Sequence, residues 1–184
     1  RNKFVLGGSG SGKSFFMNHL VRQYWEQGTH VVLVDTGNSY SGLCEMIRKK
    51  THGEDGVYFT YTEESPISFN PFYTQDKIFD VEKKESIKTL LLTLWKKDNE
   101  PATRSEEVAL SNAVALFIDR IKFDENLVPS FDTFYEFVDT DYRAILDAKG
   151  VRDKEFDITN FLNVLEPYHK GGEYDFLLNS DKQL

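Results

Sequence analysis

The sequence has a single cysteine, Cys44, so no disulfide can close within the chain. No stretch of it resembles a signal peptide, and the two absences together point to a cytosolic setting. Its longest unbroken apolar run, residues 113–118, falls far short of the about 20 residues that span a bilayer. Any membrane association is therefore expected to come through partners or through segments outside this sequence. The four histidines, His19, His30, His52 and His169, lack zinc-ligand spacing and have no cysteine pair beside them, which leaves them as ordinary surface or helix residues. A basic excess is lacking as well. Residues 1–79 hold 8 basic and 8 acidic side chains, whereas 80–184 hold 14 and 22 and carry the whole net charge of -8. A groove tracking nucleic acid needs a basic face, so the second part is a poor candidate for one.

Aromatic residues, by contrast, are plentiful: 15 Phe, 9 Tyr and 2 Trp can fill a sizeable core, and the composition is not that of a disordered chain. At 184 residues there is room for one compact domain, or for a small core carrying an insertion.

The most informative stretch is Gly7, Gly8, Ser9, Gly10, Ser11, Gly12, Lys13 and Ser14, which fits the phosphate-binding pattern G-x-x-x-x-G-K-[ST] at every fixed position. The apolar residues Phe4, Val5 and Leu6 precede it, and an amphipathic stretch, 15–27, follows. In a strand, glycine loop and helix, consecutive N–H groups surround a phosphate and the helix N-terminus adds its dipole. Gly7, Gly10 and Gly12 permit close approach and unusual backbone angles, Lys13 sets an ammonium against the outer phosphates, and Ser14 offers a hydroxyl to magnesium. A dinucleotide fingerprint is the rival reading, because Gly8, Gly10 and Gly12 are spaced G-x-G-x-G and Asp35 closes the next apolar run. It fails because Lys13 occupies the position where that fingerprint requires its last glycine.

Residues 30–35 (HVVLVD) read as a buried parallel strand after a helix stopped by Gly28, 43–50 as a second helix, and 57–61 (VYFTY) as a further strand. Prolines at both ends keep 66–72 out of a helix. From Asp80 the texture is helical. Ile87, Leu90, Leu91, Leu94 and Trp95 share one face, and Thr103 with Glu106 resembles a capping box for a helix burying Val108, Leu110 or Ala113, Leu116, Phe117 and Ile121. Ser130 caps 131–138, residues 141–149 form another helix, and Asp157 caps 158–165 before Pro167. These expectations assemble into an α/β fold: part of a P-loop core over 1–79, an all-α insertion over 80–170, and a return towards the core over 171–184.

A P-loop ATPase also needs an acid closing an apolar strand to hold magnesium, and a group that orients water. Asp35 is the one candidate of that kind, and with it the protein would act as a small-molecule kinase. The favoured alternative is that both ends are cut from a longer protein and that the acid lies beyond Leu184.

The loop with its continuation Phe15, Phe16, Met17 and Asn18, the run ending Val34 and Asp35, the FNPF of 69–72 and the YHKGGEY of 168–174 resemble, in this order, the TraG-like ATPases of conjugative transposons. These are related to the VirB-type energising ATPase of type IV secretion systems. The resemblance implies a RecA-like motor core with an all-helical insertion, ATP and magnesium as cofactors, and Lys13 as the catalytic residue, with 7–15 lining the nucleotide and Ser14 on the metal. It also implies hexameric assembly with other copies and with secretion components at the cytoplasmic face of the inner membrane. The DNA-coupling ATPases of the conjugation apparatus share the TraG label and remain a second possibility. Gly8 stands where a proline is common in the family. Tyr40, Phe72 and Tyr73 are available to stack on a base, with packing the commoner role for such rings, and Arg120 and Arg143 are available arginines.

Overall fold

The structure, a computed structural model, describes residues 4–60, 62, 66–74, 78–97, 99–124 and 126–180. The chain divides into two compact units, Arg1–Thr60 and Tyr61–Leu184.

The first unit holds two helices, α1 (Lys13–Glu26) and α2 (Ser41–Lys50). Each buries a single side chain, Val21 in α1 and Ile47 in α2. Polar contacts tie α1 to α2 and to the turn after it: the Lys50 ammonium of α2 lies 5.3 Å from the Trp25 ring centre, and the Trp25 indole donates to Asp55, five residues beyond α2, at 2.9 Å. The expected α/β core is not there. Among the described residues there is no strand, only an isolated bridge at Thr62. The runs 4–6, 31–35 and 57–60 take no regular form, and Tyr61, the last residue of the third expected strand, lies outside the described residues. Val32 is 90% and Val34 97% exposed, with Phe4 and Leu6 similarly open. The reason is that a strand, unlike a helix, has no hydrogen bonds of its own. Apolar residues raise strand propensity, but a parallel sheet forms only where neighbouring strands ladder with it and layers cover both its faces. Neither condition is met around these three runs.

The second unit is helical and contains the core. It comprises α3 (Val81–Trp95), α4 (Arg104–Phe123), α5 (Phe131–Phe137), α6 (Arg143–Lys149), α7 (Ile158–Leu165) and α8 (Asp175–Leu178), with α3 packed on α4 and α7. Its helix starts follow local chemistry. Asp80, Ser130 and Asp157 accept N–H bonds from Lys83, Thr133 and Asn160, each three residues on. At α4 the capping box is complete: Thr103 accepts from the Glu106 N–H at 3.3 Å while the Glu106 carboxylate accepts from the Thr103 N–H at 2.8 Å. Burial alone would raise the Glu106 carboxyl. The Lys96 ammonium, 2.8 Å away, and the Thr103 bonds outweigh it and hold the carboxyl below its ordinary value. A depressed carboxylate adds stability above its unfolded value, and that contribution disappears as the pH falls through the lowered one. Replacement of Thr103 by Ala is expected to cost about 1 kcal/mol, read as a lower denaturation midpoint with an unchanged slope.

The buried face of α4 is Ala109, Leu110, Ala113, Val114, Phe117, Ile118 and Ile121. Val108 and Leu116, expected inside, are exposed. Every fourth or third residue along this helix is apolar on more than one stripe, so periodicity alone does not choose the stripe; contact with α3 does. The two helices expected at 131–138 and 141–149 are joined by a π-helical turn, Val138–Tyr142, into one continuous rod. The wider turn keeps Val138, Tyr142 and Leu146 all on the core side. Burial pushes the Tyr142 phenol up to about 12, and its hydroxyl donates to the Ala109 carbonyl at 2.7 Å. Residues 66–74 and 78–79 belong to this unit: Phe72 and Phe79 lie in its core, and the Phe69 N–H donates to Leu177 at 2.9 Å, joining the entering chain to the leaving one.

Candidate nucleotide-binding site

The glycine-rich loop ends at Gly12, which sits in the left-handed region (φ 85, ψ 12) immediately before α1. A side chain there would be strained, and the same holds for Gly10 (φ 77). At Gly7 a Cβ would lie 2.5 Å from Ser11 Oγ and 3.2 Å from Lys13 Cγ, both side-chain atoms that can move aside. Gly8 has open space around it and no unusual torsion. The loop turns through a bond from the Ser11 N–H to Gly8 O at 3.3 Å.

Lys13 folds back over this loop. Its ammonium donates to the Gly7 and Gly8 carbonyls, both at 2.5 Å, and reaches Ser11 Oγ at 3.5 Å. The charge therefore stands within the loop, in front of the helix start. No side chain caps α1 and no acid occupies its first turn, so the positive end of a 14-residue helix is left uncompensated. An uncapped, acid-free helix start with a lysine ammonium on the adjoining loop fits an anionic, phosphate-bearing group. Ser9, Ser14 and Phe15 are exposed, and Ser14 in the first turn offers the one hydroxyl suited to a phosphate-bound magnesium.

Asp35 has a local partner. Its Oδ2 accepts the Ser39 N–H at 2.6 Å and so closes the 35–39 turn, in which Asn38 adopts φ 55 and is hydrogen-bonded by the Tyr58 hydroxyl. Among the described residues, no group of three or more His, Cys, Asp or Glu side chains is arranged to hold a metal. Asn18 stands in the sequence only as the last residue of the loop's continuation, 15–18, with no role attached to it, yet its carboxamide donates to Ser14 O at 2.9 Å and to Ser39 O at 3.0 Å. Its second partner lies 21 positions away, which is why no local pattern marks it.

Other residues singled out in the sequence serve packing in the helical unit. Phe72 is fully buried in the core and has no face to offer a base. Arg120 pairs with Asp141, and Arg143 bonds Asp139 at 2.8 Å and Thr159 at 3.2 Å. His169, read from the sequence as an ordinary surface or helix residue, stacks on Tyr135 with ring centres 4.3 Å apart.

No match was found among curated proteins or among solved structures. The family model described as the TraG P-loop domain matches residues 1–184. Because that model covers the whole chain, the chain belongs to the TraG P-loop domain family.

Proposed function

We propose that the chain binds ATP with magnesium as the nucleotide-binding part of a conjugative-transfer motor, and that turnover in the assembled motor energises transfer or pilus assembly. The observation that carries this reading is the uncapped, acid-free start of α1 behind a glycine loop closed around the Lys13 ammonium. Gly7, Gly8, Ser9, Gly10, Ser11 and Gly12 cradle the phosphates through their backbone, Lys13 neutralises the outer ones, and Ser14 holds the metal. Membership of a conjugation-related P-loop family supports the motor role. Work by such motors proceeds in rings, so neighbouring copies and secretion components are the partners assigned, at the cytoplasmic face of the inner membrane. Among the described residues no helix is long and apolar enough to cross a membrane, in keeping with attachment through those partners.

The test is calorimetric titration of the purified chain with ATP and magnesium. Saturable binding is expected, and Lys13→Ala should weaken it by about tenfold or more, the loss of a charge-assisted contact to phosphate. No saturable binding at millimolar nucleotide, or full affinity in the alanine variant, would sink the reading.

A further inference from the structure

Asn18 lies one turn into α1, four residues beyond Ser14, and is half-buried. Its amide nitrogen is within hydrogen-bond distance of two carbonyls, Ser14 O at 2.9 Å and Ser39 O at 3.0 Å. Both partners are acceptors, so the side chain must present its two N–H groups to them, and a carboxamide is the short neutral group that carries two such donors. Ser39 in turn donates its N–H to Asp35, while the Tyr58 hydroxyl bonds Asn38 in the same turn. A chain of bonds thus runs from Asp35 through Ser39 and Asn18 to the residue whose hydroxyl is assigned to magnesium. It bypasses the phosphate cradle: Lys13 and the 7–12 loop make none of these contacts.

We infer that Asn18 is a positioning residue for the metal side of the nucleotide site, stapling the Ser14 turn of α1 to the 35–39 turn so that the Ser14 hydroxyl and the Asp35 end keep a fixed relation. The inference rests on the nucleotide reading above and assigns its metal-dependent part to a residue that touches neither phosphate nor metal. Without the staple the cradle remains, but the first turn of α1 and the 35–39 turn move independently. Affinity for ATP in the presence of magnesium should fall, and affinity for metal-free ATP should hardly change.

The experiment compares the unsubstituted chain, Asn18→Leu and Asn18→Ala by titration with ATP, once with magnesium and once with a chelator. Leucine keeps the shape of asparagine and removes both donors; alanine removes the side chain. Both variants are expected to bind about fivefold more weakly with magnesium, the worth of the bond to Ser39 that joins the two turns, and within about twofold of the unsubstituted chain without it. Equal weakening in the two conditions would mean a purely structural role and would overturn the inference, as would unchanged affinity in both. Failure of the unsubstituted chain to bind ATP would instead overturn the nucleotide reading, and this inference with it. Circular dichroism at the helical bands, with the melting of the second unit as a reference, separates an unfolded variant from a folded one. If alanine unfolds the first unit, leucine alone decides.

Discussion

Gly172→Ala should destabilise the helical unit by about 3 kcal/mol, the scale of a forced backbone overlap inside a packed turn. A Cβ on Gly172 would stand 2.3 Å from Pro167 O, 2.6 Å from Pro167 C and 2.7 Å from Glu166 O. These are backbone atoms and cannot swing aside as a side chain would. The turn they belong to is closed by Tyr174 N–H to Pro167 O at 2.8 Å and Gly172 N–H to His169 O at 2.8 Å, so relieving the overlap breaks at least one of these bonds. The damage would spread further, because Asn179 ties this turn to α5: its Nδ2 donates to Tyr168 O and Asp175 O, and its Oδ1 accepts from the Asp132 N–H. The adjacent Gly171 is the internal control. It has a positive φ of 85 but nothing within 4 Å of its Cβ position. Gly171→Ala should therefore cost only about 1 kcal/mol, the left-handed strain of one residue. Denaturant unfolding of the two variants checks this, and equal losses would show that the crowding at Gly172 is not the cause.

Phe72→Ala should cost about 3–5 kcal/mol, the range for truncating a buried phenylalanine without collapse of the site. Phe72 is fully buried although it lies on a non-helical segment. Its ring stacks on Phe134 with centroids 5.1 Å apart and meets Phe117 edge-on at 5.2 Å, and Phe117 and Phe134 contact each other at 5.4 Å. Removing one ring of three leaves a hole that the other two cannot fill, because helices on both sides hold them. The segment is pinned by Asn70, whose Oδ1 accepts the Phe72 N–H at 2.9 Å and whose Nδ2 donates to Pro129 O at 2.8 Å. This pinning makes collapse harder and places the loss towards the upper end. Phe72→Leu keeps most of the volume and should lose less than half as much; chemical denaturation monitored through Trp95 in the same core separates the two outcomes. Full stability in the alanine variant would mean that the segment is not part of the cooperative unit.

Both residues belong to stretches that carried the family resemblance, FNPF and YHKGGEY. In the structure they support the helical unit: one plugs its core and the other turns the chain back towards α5. Function was more legible at the glycine loop, where all of the groups are contiguous. The role of Asn18 was not legible for the opposite reason, since its partner Ser39 is brought to it by the fold. Asp35 was legible as an acid but not in its role, because a bond to an N–H four residues on is as compatible with its neighbours as a place on a metal.

By itself the sequence determined the features whose physics is local. Helix starts at Asp80, Thr103, Ser130 and Asp157 depend on a side chain reaching three residues along its own backbone, and the phosphate loop depends on eight consecutive residues. Tertiary structure decided what depends on partners distant in the chain: which stripe of α4 faces inward, how a π turn joins α5 to α6, where Phe72 is buried, and whether apolar runs become strands. The runs 4–6, 31–35 and 57–60 have the composition of strands and none of the pairing. A helix satisfies its hydrogen bonds within itself, whereas a strand borrows them from its neighbours, so composition is enough to announce the first and never enough to secure the second.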